Sequence, residues 1–155
     1  MIVRPAGTHD VPGLLGLAAE VEQWFGPMVA EPGFHRALHE HIRAGAALVA
    51  ASPAAPDLLG GLLFGAQAPV YRVHWLVVAQ RARGTGVGRA LMAEAQRRFV
   101  HGPGRIEVVT FGADHPGAAA SGARVFYERL GFTPAEPADP GPEGGSRQTY
   151  RRTVP

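Results

Sequence analysis

Apolar positions recur along this chain with two periods. From His9 to Phe25 they fall at Val11, Leu14, Leu15, Ala18, Val21 and Phe25, the spacing of one helix face. Thr8 or Asp10 would cap that helix, and Pro12 suits its first turn. Phe34 to Ile42 predicts a shorter helix that ends at Gly45. From Val70 to Val78, Tyr71, Val73, Trp75 and Val77 alternate with Arg72, His74, Leu76 and Val78, which predicts a strand. Ala46–Ala51 and Leu58–Phe64 read as an antiparallel pair joined by a turn over Pro53–Pro56. Ile2–Pro5, Arg105–Phe111 and Gln148–Val154 predict further strands. Val87, Leu91, Ala95 and Phe99 form one row at i, i+4 spacing, so a helix begins near Gly86. A last helix is expected over Ala118–Leu130, with Gly131 just past its end. Residues 134–146, rich in Pro, Gly and acids, predict a mobile loop. The order β-α-α-β-β-β-α-β-α-β, without repeat or composition break, predicts a single mixed α/β domain.

Composition removes several chemistries. The chain of 155 residues has no cysteine, so disulfides, thiolate metal sites and a cysteine nucleophile are excluded. All 15 basic residues are arginine. They are spread along the chain with a net charge of only +2, which predicts no nucleic-acid partner. No run approaches the roughly 18 apolar residues of a membrane span, so no membrane partner is expected. The first residues carry no apolar run of a secretory signal, so a cytoplasmic location is expected. His35 and His39 share a helical spacing, but no acidic partner completes a metal site, and none is predicted.

The segment Arg81 to Phe99 concentrates the chemistry. Gly84, Gly86 and Gly88 stand between Arg81, Arg83 and Arg89, directly before a helix. A helix start presents unpaired N–H groups and the positive end of the dipole. Glycines there let an anion approach the backbone, and arginines add charge-assisted hydrogen bonds. A P-loop would need a lysine, and the chain has none. A dinucleotide fingerprint would need G-x-G-x-x-G, whereas the spacing here is G-x-G-x-G.

Arg83-Gly84-Thr85-Gly86-Val87-Gly88 resembles the coenzyme A signature R/Q-x-x-G-x-G/A of the GNAT acetyltransferases. Arg81-x-x-Gly84-x-Gly86 fits the bare pattern too, but the later register sets Val87 at the head of the apolar row. Ala123 to Phe132, ARVFYERLGF, resembles the family segment A-x-x-F-Y-x-x-x-G-F. The chain departs from the family at Gln80, where proline is frequent, and at Ala120, where asparagine often stands; Ser121 or Asp114 would replace that asparagine's contact.

The resemblance implies a mostly antiparallel central sheet flanked by helices on both faces, and a homodimer as a family expectation. It implies acetyl-CoA as cosubstrate. The pyrophosphate would lie on the N–H groups from Gly84 to Arg89, and the pantetheine arm beside Leu76, Val77 and Val78. Tyr127 would face the sulfur and protonate the departing thiolate, while an amide such as that of Val78 meets the oxyanion. His74, read as sharing a strand face with Leu76 and Val78, is the first candidate base, and Glu22 a second. Trp24, Phe25, Met28 and Phe34 are candidates for the wall of the acceptor site, which would take a small-molecule or peptide amine. A non-catalytic acyl-CoA-binding module on the same fold is the alternative.

Overall fold

The computed structural model describes residues 1–155. Its strands are β1 (Ile2–Pro5), β2 (Ala47–Ser52), β3 (Ala55–Gln67), β4 (Val70–Val78), β5 (Gly104–Phe111), β6 (Thr133–Ala138) and β7 (Arg147–Val154). Its helices are α1 (Val11–Ala19), α2 (Glu22–Phe25), α3 (Pro32–Arg43), α4 (Val87–Phe99), α5 (Pro116–Ser121) and α6 (Ala123–Arg129). All seven strands form one sheet in the order β1-β2-β3-β4-β5-β7-β6. Only the β4–β5 pair is parallel. That pairing requires a crossover, and α4 supplies it.

Helices cover both faces, and two adjacent glycines in β3 mark the sides. A Cβ on Gly60 would lie 3.0 Å from Val87 and Leu91 of α4. One on Gly61 would strike Leu14 of α1 at 2.6 Å. Leu14, Leu62, Leu91 and Ile106 anchor the two apolar layers, each fully or almost fully buried. No helix is long and apolar enough to cross a membrane.

Three elements differ from the sequence-based expectation. The helix predicted over His9–Phe25 breaks at Val21, whose φ of −120° and ψ of 5° leave the helical region. The Glu20 carboxylate there accepts from the Gln80 N–H at 2.8 Å, and the chain turns before resuming as α2. The helix predicted over Ala118–Leu130 is two helices, α5 and α6, divided by Gly122 at φ +68°. That left-handed residue re-aims the chain, so Tyr127 sits on a separate short helix. Finally, residues 134–138 are not loop. They lie in β6, which pairs with β7 and bulges between Pro134 and Pro137. Prolines hid this strand from the sequence, since proline is confined to sheet edges and bulges, and β6 is an edge.

A fourth difference lies inside β4. Phe64 pairs with Val73, whereas Leu63 pairs with Trp75, so His74 is an extra residue. The alternation read from the sequence therefore slips by one. Trp75 shares the α1 face with Leu14 around Gly61, while Val78 packs toward Gly88 of α4. By pleat, Leu76 joins Val78 on the α4 side.

Candidate active site

The bulged strand also opens the sheet. β4 and β5 pair only from Val70 with Arg105 to Val73 with Val108. Beyond that point Leu76 to Val78 still pair with β3, but nothing in β5 meets them. The Ala79 N–H bonds the Leu59 carbonyl at 2.8 Å, which fixes the alternation. Val77 therefore faces β3, and the N–H and C=O groups of Leu76 and Val78 point into the gap. A cleft of about 610 Å³ occupies this gap and continues past the start of α4. Arg83 closes over part of it, with its Nε 3.4 Å from the Val78 carbonyl and its guanidinium 5.5 Å from the centre of the Trp24 ring.

One end of the cleft is built from main chain. Gly84 and Gly86 have φ of +76° and +92°, which favours glycine, and no atom lies within 4 Å of where their Cβ would stand. Thr85 donates its hydroxyl to the Ala82 carbonyl at 2.5 Å and holds the turn. Gly86 is the residue before α4, and no side chain caps the helix. The first helical bond in this turn runs from the Ala90 N–H to the Gly86 carbonyl, which leaves the N–H groups of Val87, Gly88 and Arg89 free. Gly88 serves packing instead. A Cβ there would fall 2.8 Å from the Phe126 ring, so its absence lets α4 and α6 meet closely. Arg83, Arg89 and Arg129 line the cleft, and no carboxylate does. Arg81 instead turns to β3, donating to the Asp57 and Leu58 carbonyls. A diphosphate fits this end on three counts: free amides, open space beside two glycines, and unopposed positive charge.

Tyr127 stands in the wall between the two ends. Its ring packs on Phe126 and Phe132 at centroid distances of 5.0 and 5.6 Å. Only 5% of the residue is exposed, and the hydroxyl has no hydrogen-bond partner within the protein. Burial raises the phenol well above its ordinary value of 10.0, so it is a proton donor at neutral pH.

The other end is built from side chains. Val21, Trp24, Phe25 and Phe111 form it, with Leu76 beside them. Phe25 and Phe111 lie 4.7 Å apart. His115 stacks 4.6 Å behind Phe111; its Nδ1 accepts from the Gly117 N–H at 2.8 Å, and its Nε2 lies 3.4 Å from Glu143. Sequence reasoning missed Phe111 and His115. Phe111 ends a predicted strand, but no local signal shows that it converges with α2. His115 gives the signal of a histidine directly before a helix proline, which suits a cap.

Several predicted site residues lie elsewhere. His74 is not in the cleft. The bulge sends it to the face opposite Leu76 and Val78, where its Nδ1 is 2.8 Å from Nε2 of His41. Burial, then the charges of His41 and Arg72, hold its pKa below the usual 6.5. Glu22 is committed to the backbone: its Oε2 accepts from Met28 N–H at 2.6 Å and Val29 N–H at 3.0 Å, and these bonds lower its pKa. Met28 is in the core, and Phe34 packs on Trp75 at 5.5 Å. Of the residues offered in place of the family asparagine, Ser121 lines the cleft, while Asp114 accepts from Ser146.

A strand pair that splays at its carboxyl end, beside a glycine turn at a helix start, is the architecture of acyl-CoA-handling transferases, and the comparisons agree. A family model for the acetyltransferase (GNAT) domain matches residues 37–134. The chain belongs to the GNAT acetyltransferase family and is an acyltransferase. Among solved structures it is similar to the ribosomal-protein-alanine N-acetyltransferase from Brucella melitensis, with 22% identity, 99% of this chain and 100% of that one covered, and a TM-score of 0.72. It is similar to Ard1 from Thermoplasma volcanium, with 18% identity, 99% and 97% covered, and a TM-score of 0.74. It is also similar to an aminoglycoside 6'-N-acetyltransferase complexed with coenzyme A, with 17% identity, 100% and 98% covered, and a TM-score of 0.73. At these identities the likeness is one of fold. No curated relative matches the sequence.

Proposed function

We propose that the protein is an acetyl-CoA-dependent N-acetyltransferase of the cytoplasm that acylates a primary amine by direct attack. One observation carries this reading: the unpartnered Tyr127 hydroxyl, the main-chain groups of Leu76 and the N–H of Val78 line the same cleft, which also runs to the free N–H groups of α4. Acetyl-CoA supplies the activated thioester. Val87, Gly88 and Arg89 hold its diphosphate through main-chain N–H groups, with Arg83 and Arg89 adding charge. The edge of Leu76 and Val78 takes an amide-bearing arm as a further strand would be taken. The Val78 N–H points into the gap, where it meets the negative charge that develops on the acetyl oxygen. As nitrogen bonds to the acetyl carbon and the carbon–sulfur bond breaks, Tyr127 gives its proton to the sulfur. The proton lost by the nitrogen then returns the phenol to its neutral form through solvent.

The chain has no cysteine, so a thiol reagent reads only released coenzyme A. Thiol release from acetyl-CoA that depends on an added amine is the expected result. Tight acetyl-CoA binding with no release for any amine of a broad panel would replace this reading with that of a binding module.

A further inference from the structure

The acceptor end of the cleft has a composition that selects chemistry. It presents the rings of Trp24, Phe25 and Phe111, and the charged residues in the cleft lining are all arginines. The acids on neighbouring segments are engaged. Glu20 holds the Gln80 N–H, Glu22 holds the Met28 and Val29 N–H groups, and Glu143 faces His115 and Arg147. A second or third ammonium group would therefore enter an apolar site without a counter-charge, which is costly.

The cleft also lacks a base. His74 is on the opposite face of the sheet, and both ring nitrogens of His115 face partners behind Phe111. Tyr127, with its raised pKa, is an acid and not a base. The amine must therefore enter already neutral. Apolar walls disfavour an ammonium ion, and a weakly basic amine has little proton to lose.

Resting on the transferase reading above, we propose that the acceptor is a monoamine carried on an aromatic or similarly apolar body, selected by Trp24. The seat of Trp24 is specific. One side lies under the Arg83 guanidinium, and the Trp24 Cγ would be only 3.0 Å from a Cβ on Gly117. Gly117 lies in the first turn of α5 and has no positive φ, so alanine fits its backbone but presses on Trp24, Phe111 and His115.

The test compares acetyl-CoA turnover with 2-phenylethylamine and 4-methylaniline against spermidine and kanamycin. The aromatic monoamines are expected to exceed the polycations by about tenfold or more in kcat/KM. Trp24→Leu, and independently Gly117→Ala, should remove most of that preference, with the Kd for acetyl-CoA unchanged in Gly117→Ala and within about fivefold in Trp24→Leu, which also removes the seat of Arg83. With 2-phenylethylamine, kcat/KM should rise about tenfold per pH unit, following the free amine without a bend near neutrality. Equal or better turnover of kanamycin or spermidine overturns the inference and leaves the transferase reading standing. So does a bend near pH 6–7 that belongs to the enzyme. Acetyl-CoA binding without turnover of any of the four amines overturns the inference, and the same result across a broad panel that includes amino acids and peptide N-termini overturns the transferase reading as well.

Discussion

The two ends of the cleft are made by different means. The diphosphate end is one continuous turn, Arg83 to Arg89, and its working groups are main-chain amides. The acceptor end gathers Val21 from a helix break, Trp24 from the short helix after it, and Phe111 from the tip of a strand some 90 residues away in sequence. The first depends chiefly on backbone conformation, and a side-chain change there matters most where it alters φ, blocks access or removes an arginine's charge. The second depends on side-chain size and charge, and can vary without disturbing the first. One fold can thus keep a single acyl donor while its acceptor changes.

The sharpest way to break this comparison is at Tyr127, which serves both ends. Tyr127→Phe should lower kcat by about 100-fold or more, the scale of a lost general acid, with the Kd for acetyl-CoA unchanged. Steady-state kinetics with calorimetry checks this, and full turnover would remove the phenol from the reaction. Next comes Gly86→Asp, which adds strain at φ +92° and a negative charge facing the anion. Acetyl-CoA should bind about 10- to 100-fold more weakly, whereas acceptor preference at saturating donor should hold. Unaltered affinity would count against a main-chain diphosphate site.

A smaller effect is expected where the two ends touch. Arg83 lies over Trp24 and against the Val78 carbonyl. Arg83→Ala should weaken acetyl-CoA binding by about fivefold, the scale of one charge-assisted contact. In a Trp75→Phe background, acetyl-CoA should also shift Trp24 emission less in this variant than with Arg83 present. An identical shift would show that Arg83 does not couple the two ends.

The smallest effect tests a residue outside both. His74→Asn should leave kcat/KM within about twofold, since the ring lies outside the cleft, and a loss of turnover at the scale of a base would restore His74 to the chemistry. Its mark should be on stability. In the folded chain His74 takes up a proton only below the usual 6.5, so below that pH the unfolded chain binds more protons. Stability should fall as the pH drops through about 6.5 and level off once the folded form is also protonated. Thermal midpoints between pH 7.5 and 5 measure this, and the slope should flatten in His74→Asn.

The same contrast explains what could be read from the sequence. The diphosphate turn was legible because its conformation is written locally, in Gly84, Gly86 and the row that Val87 begins. Most strands and helices were legible for the same reason. The acceptor end was half legible: Trp24 and Phe25 could be named, but Phe111 arrives by tertiary packing. His74 was misplaced because one inserted residue in β4 reverses the alternation, and nothing in VYRVHWLVV marks where the slip falls. Glu22 was offered as a base because a free carboxylate and one bonded to two backbone amides look alike in sequence.

The extra residue at His74 falls where β4 leaves β5, at the mouth of the reaction chamber. Deleting it would join Val73 directly to Trp75 and force one continuous pleat on β4. Phe64 would still face Val73 and Leu63 would still face Trp75, so Leu76 and Val78 would stay on the α4 side, but β4 would lose the bend that carries its carboxyl half away from β5. The gap beyond Val73 and Val108 would close, and the donor's track would vanish though every glycine of the turn remained.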